Sequence, residues 1–251
     1  MIQIAALLVS YIPSILIYFF LRNIRKEKEY RSTCRKLILR GMLTTTGVVL
    51  FSLVCSLLWA SSGLSKVNRL LSEAFRTFIL ASLSEETMKY LSASKTVKKE
   101  KATVSWLDEI CWFGIVGIGF NLFESFAYMF TTNVIEILVR GITGLHTAYA
   151  LFMGYYMGKY QRTKERKYWV LGFFFPVFLH GLYDFSLSDD LLEINDNFVF
   201  LPFIVIAVSL YILIHMLLLV KKARTDPEYT KPLFGQATEE SGTEESVEQI
   251  R

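Results

Sequence analysis

The chain has 251 residues, 53% of them hydrophobic and 20% charged, with a formal net charge of +4. The hydrophobic residues fall in blocks of about twenty, the length that crosses a ~30 Å hydrocarbon layer, which excludes an ordinary soluble domain. The positive charge lies in short segments between the blocks, and no aromatic-interleaved basic groove is present, so nucleic acid is excluded as a partner.

Seven blocks follow in chain order: 2–21, 37–60, 70–92, 105–130, 134–157, 168–187 and 198–220. The first has no basic segment before it and a basic flank after it, the pattern of a retained anchor rather than a cleaved signal peptide. The third is interrupted by Glu73, Arg76, Glu85, Glu86 and Lys89. Alternate connections are basic: "RNIRKEKEYRSTCRK", "ASKTVKKEK", "KYQRTKERK" and "KKAR", whereas "TTN" carries no charge and "LSDDLLEINDN" is acidic. Because cytoplasmic loops carry excess Lys and Arg, this alternation predicts an all-α bundle of about seven transmembrane helices, with the N-terminus outside and the C-terminus in the cytoplasm. Residues 1–222 form the predicted membrane domain. Residues 223–251 turn polar, with "ATEESGTEESVEQ", and read as a disordered acidic cytosolic tail. Cys34, Cys55 and Cys111 have no metal-binding spacing and read as structural thiols.

Ionisable groups inside a span are costly and persist when paired, solvated or used. The set here is Glu85, Glu86 and Lys89 in the third block, Glu124 in the fourth, Arg140 and His146 in the fifth, and His180 and Asp184 in the sixth. Residues three or four apart share a helix face, so both glutamates can pair with Lys89, and Asp184 can accept from His180 and fix its tautomer. Asn121 lies on the face of Glu124. At ~1.5 Å per residue these groups reach similar depths in the outer-to-middle bilayer, which predicts one water-filled cavity among four helices. Arg140, within two turns of the outer boundary, reads as a side chain reaching for head groups. Glycines in "GIVGIG" and "GYYMG" predict close helix contacts; with no preceding strand they are no nucleotide fingerprint.

Carboxylates beside imidazoles can activate a water as general base and acid. Glu86, Glu124, His146 and His180 could also hold Zn²⁺, whose usual ligands are His and carboxylate. Either route leads to peptide hydrolysis within the membrane plane. The competing reading is a proton- or metal-coupled transporter, which also places Glu, His and Lys at mid-membrane. No repeat between the halves of the chain supports it. A seven-span receptor rests on the span count alone.

The ordered motifs "EETMK", "FNLFES", "VRGITGLHTAYALFMGYYMGK" and "PVFLHGLYDF", spread over about 75–187, resemble those of the PrsW family of intramembrane proteases, itself distantly similar to the CAAX-prenyl-protease and bacteriocin-processing superfamily. That family has paired glutamates with a Lys three after the second, a Phe-xxx-Glu, a lone His in the next helix, and His-xxx-Asp. The resemblance implies Glu85, Glu86, Glu124, His146 and His180 as catalytic, with Lys89, Asp184 and Asn121 in support. One position differs: Ser125 stands where many relatives carry Asn. The resemblance further implies a multi-pass protein of the bacterial plasma membrane. Its expected substrate is a membrane-anchored protein, by family example an anti-sigma factor of a stress response cut on its extracytoplasmic side. The cofactor is either none or Zn²⁺.

Overall fold

The computed structural model describes residues 1–63, 68–100 and 103–234. They are helical, with no strand among the described residues beyond one isolated bridge between Ser105 and Pro232. In chain order the helices are α1 (Ile2–Arg22), α2 (Lys28–Ser61), α3 (Arg69–Ala74), a π-helical stretch (Phe75–Leu83) and α4 (Ser84–Lys99). After them come α5 (Trp106–Tyr128), α6 (Val134–Thr143), α7 (Leu145–Thr163), α8 (Arg166–Ser186), the short α9 (Asp189–Leu192), a 3₁₀ turn (Asp196–Phe200), α10 (Leu201–Ala223) and α11 (Pro227–Thr230).

Among the described residues six helical segments are long and apolar enough to cross a membrane. The third expected block is the exception. It is helical from Arg69 through Lys99, but its charges remove it from the apolar set. The bundle is therefore six apolar segments and one polar rod.

α5 is the hub. Its capping box, Ser105 with Asp108, starts it, and Arg25 clamps that start with a 2.7 Å ion pair to Asp108 and a 2.9 Å bond to Ser105 Oγ. From there α5 is buried almost throughout, packed by α2, α4 and α7, whereas α2 and α10 leave Leu43, Leu50, Leu57, Phe203 and Ile204 exposed, as suits a lipid-facing surface. Small residues let the rods approach. A Cβ on Gly117 would stand 2.6 Å from the His146 carbonyl oxygen, and one on Gly154 would stand 3.0 Å from Ile110 Cα. The expected glycine contacts between α5 and α7 are thus present, and they draw the His146 end of α7 against α5.

Two expectations change. The fifth block is not one helix: Gly144, in the left-handed region (φ 59°), ends α6 and restarts the chain as α7. The expected tail begins too early at residue 223. Tyr229 stacks on Trp106 (centroids 4.6 Å apart), and Leu233 N–H donates to the Val104 carbonyl at 2.9 Å. The acidic composition of the far end masks an aromatic and proline-rich beginning that packs onto the start of α5. Residues 235–251, which carry most of the acidic run, lie outside the described residues.

Candidate active site

The polar rod delivers its charges just after the π-helical stretch, a wound-out turn of a kind frequent at functional sites. Ser82 donates to the Val177 carbonyl of α8, which holds this stretch against the helix that carries His180. Glu85, Glu86 and Lys89 then open α4, Glu124 comes from the last turns of α5, His146 from the first turn of α7, and His180 and Asp184 from α8. Glu86 and Lys89 are 0% and 1% exposed, and Glu85, Glu124, His146 and His180 are buried as well.

The contacts form a closed network. Lys89 Nζ donates to Glu86 Oε1 at 2.7 Å, lies 2.9 Å from His146 Nδ1 and stands 4.2 Å over the Phe120 ring. His180 Nδ1 lies 3.0 Å from Glu86 Oε1, and its Nε2 lies 3.4 Å from Asp184 Oδ2. His146 Nε2 lies 2.6 Å from Glu124 Oε2. The two imidazoles meet edge to face with centroids 5.0 Å apart. All five residues expected to be catalytic are therefore brought together, with Lys89 and Asp184 among them.

Two placements, those of Asn121 and Arg140, differ from the sequence reading. Asn121 donates instead to Ser14 Oγ of α1 at 3.0 Å, a tie between helices. Ser125 is buried with its hydroxyl unpartnered. Arg140 does not reach for head groups. It is turned inward, with a side chain 11% exposed, 3.6 Å from Glu124, 3.3 Å from Glu136 and 3.5 Å from Asp184, and its guanidinium stacks 4.2 Å over Tyr128. Its position within a span singles it out in the sequence; what the sequence hides is that two site carboxylates sit within its reach. Tyr149, stacked on His180 and hydrogen-bonded to Ser209 at 2.9 Å, gives no signal, because an aromatic in an apolar helix looks like core.

The expected water-filled cavity is contracted. The space bounded by Arg140, Leu145, His146, His180 and Tyr183 is ≈10 Å³, room for about one water.

The donor set fits a divalent cation. Glu85 Oε2 is buried without a hydrogen-bond partner, 3.9 Å from His146 Nδ1 and 3.7 Å from His180 Nε2. One ligand atom each from Glu85, His146 and His180 lies within 4.8 Å of the others. A tetrahedral ion with ~2.0–2.1 Å bonds separates its ligands by about 3.4 Å, so a small contraction closes the shell. The outer nitrogens, His146 Nε2 and His180 Nδ1, each face a glutamate, Glu124 and Glu86, as ligand imidazoles commonly do. Of the four residues expected as ligands, Glu86 and Glu124 thus stand behind the imidazoles, and Glu85 takes the inner place. Charge balance agrees: Glu85, Glu86, Glu124, Asp184 and Glu136 face Lys89 and Arg140, so carboxylates outnumber basic side chains and a bound cation or protons can offset the excess.

Comparison with known proteins comes to the same place. The family model described as PrsW family intramembrane metalloprotease matches residues 32–214. Among curated relatives, Protease PrsW of Clostridioides difficile is 28% identical over 190 residues, covering 72% of this chain and 78% of that protein. Protease PrsW of Halalkalibacterium halodurans is 29% identical (77% of this chain and 86% of the relative), and that of Bacillus subtilis 27% (70% and 78%). No solved structure gives a significant match. The matched span holds every charged group of the buried network, and the chain belongs to the PrsW family of intramembrane proteases.

Proposed function

We propose that this multi-pass membrane peptidase cuts a membrane-anchored protein at the Glu85–His146–His180 centre. The supporting observation is Glu85 Oε2, a buried carboxylate oxygen 3.8 Å from Lys89 Nζ and, among the described residues, without a hydrogen-bond partner, set between two inward-facing imidazole nitrogens. In this reading a water sits among the three groups. Glu85 takes its proton as the oxygen attacks the scissile carbonyl and returns that proton to the departing amine. Glu124 and Glu86 hold the outer nitrogens of His146 and His180, which turns the inner nitrogens toward the water; that of His146, 2.9 Å from Lys89 Nζ, takes part once the ammonium draws back to Glu86. Lys89 keeps Glu86 in place through their 2.7 Å contact. Zn²⁺ held by Glu85, His146 and His180 would polarise the carbonyl and acidify the water, leaving Glu85 its second oxygen for the proton.

The activity is assigned to residues 1–222, with the N-terminus outside by the alternation of basic loops. That orientation sets the centre in the outer half of the bilayer, where a membrane-anchored anti-sigma factor, the substrate the family resemblance implies, would be cut near its extracytoplasmic side. The closed site requires the helices to part before a substrate segment enters.

The test is cleavage of a single-span substrate co-reconstituted with matched amounts of wild-type, Glu85→Gln or His180→Ala protein, with bound metal measured on the same preparations. Loss of cleavage in both variants, with metal lost alongside, is the expected result; normal cleavage by Glu85→Gln would overturn the reading.

A further inference from the structure

A second buried glutamate lies at the other end of α5, next to the capping Asp108. Glu109 is fifteen residues before Glu124, hence ~22 Å along the helix, and Gln161 is fifteen residues after His146 on α7. The two meet: Gln161 Nε2 donates to Glu109 Oε1 at 2.6 Å. Beside them is a cavity of ≈320 Å³ walled by Tyr90 and Phe234 and bordered by Lys98 and Lys164. Its level is that of a membrane interface. Trp106 and Trp169 lie at the ends of their spans there, and Lys159 and Arg162 in the last turn or so of α7 stand near Arg166 and Lys167 in the first turn of α8.

Two features of this cavity have no use in the reaction at the far end. Among the described residues Glu109 Oε2 and Gln161 Oε1 are both buried without a hydrogen-bond partner, and Glu109 is 1% exposed. Two acceptors fixed to one another call for a ligand with several donors on one atom. A primary ammonium has three and gains further from the aromatic walls. The lysines are the second feature. Among the described residues neither Lys98 nor Lys164 makes an ion pair. Lys164 is the one non-glycine residue among them with a left-handed backbone (φ 59°), and its Nζ stands 5.7 Å over the Phe234 ring. Two unpaired ammonium groups at the mouth of a cavity suit a phosphate.

We propose that this cavity binds the headgroup of an amine-bearing phospholipid. The ammonium would reach Glu109 and Gln161 between Tyr90 and Phe234, and the phosphodiester would lie against Lys98 and Lys164, with the acyl chains passing out between α4 and α7. The ligand is a zwitterion whose cation must carry N–H groups. A quaternary headgroup has the same phosphate and charge but nothing to donate, and a glycerol headgroup lacks the cation. The assignment is independent of the catalytic reading, since it uses none of the same residues.

The experiment uses the full chain in detergent micelles, titrated with short-chain phosphatidylethanolamine, phosphatidylcholine and phosphatidylglycerol, and with soluble phosphoethanolamine. Bound lipid is counted by native mass spectrometry. The expected result is ethanolamine lipid held about tenfold more tightly than the other two, the scale of one charge-assisted hydrogen bond. Glu109→Gln should bring the ethanolamine lipid to the level of the choline lipid, and Lys98→Ala with Lys164→Ala should weaken all three lipids. Gln161→Met is a second route to the same loss of preference should Glu109→Gln not accumulate. Equal retention of the three lipids, a preference that survives both Glu109→Gln and Gln161→Met, or soluble phosphoethanolamine binding as tightly as the lipid would each overturn the proposal.

Discussion

One helix, α5, holds Glu109 and Glu124, two buried glutamates in opposite company. Glu109, near its start, has a single neutral partner among the described residues, the amide of Gln161. Glu124, near its end, touches an imidazole at 2.6 Å and faces a guanidinium at 3.6 Å. Both are desolvated, so burial alone does not separate a reaction centre from a binding pocket. What differs is whether the neighbours can exchange protons and carry charge. Around Glu124 the imidazoles of His146 and His180 can hand protons on, and Lys89 and Arg140 supply positive charge; Gln161, Tyr90 and Phe234 offer a fixed shape and a fixed hydrogen-bond pattern.

The most direct way to break this contrast is Glu124→Gln. It keeps the shape but removes the charge that orients His146 and balances Arg140, and cleavage should fall by about 10²–10⁴-fold, the usual worth of a proton-handling group and its orientation. Single-turnover cleavage at matched expression measures it. A chelator should reduce cleavage to background and added Zn²⁺ restore it; activity unchanged in purified protein free of metal would return the reaction to glutamate and histidine alone. Arg140→Gln should lower kcat by about 10–100-fold, the range for groups that position others, with KM little altered and partial recovery in Arg140→Lys. An equal fall in kcat/KM carried wholly by KM would instead make Arg140 a substrate contact. Gly117→Val should push α7 from α5 at the His146 carbonyl, costing about 1–3 kcal/mol in thermal unfolding together with loss of activity. The smallest effect belongs to the opposite end. Tyr229→Ala removes the stack on Trp106 and should cost about 0.5–1.5 kcal/mol while cleavage stays at the wild-type rate.

Several local pairs are legible in the amino-acid order alone. Glu86 with Lys89 and His180 with Asp184 follow from helical spacing, and both are present, at 2.7 Å and 3.4 Å. The helical blocks are legible too, including the weak third one, since charge on an otherwise apolar segment does not stop a helix from forming. Arg140 and Asn121 escape that reasoning for a common cause. A side chain on a rod can point to any of several neighbours, and periodicity gives a face but not the helix opposite it. A tail boundary drawn at residue 223 falls too early because composition averages over many residues, whereas Tyr229 and Leu233 act singly.

The sequence by itself determined the membrane-spanning blocks, the all-helical class and the near-neighbour pairs, because these depend on hydrophobic length and on a 3.6-residue repeat. Only the tertiary structure decided that Glu85 rather than Glu86 or Glu124 takes the inner place, that Gly144 breaks the fifth block, and that Arg140 turns inward. Those outcomes depend on contacts between residues distant in the chain, set by how closely small residues let the rods approach and by where buried charges find partners.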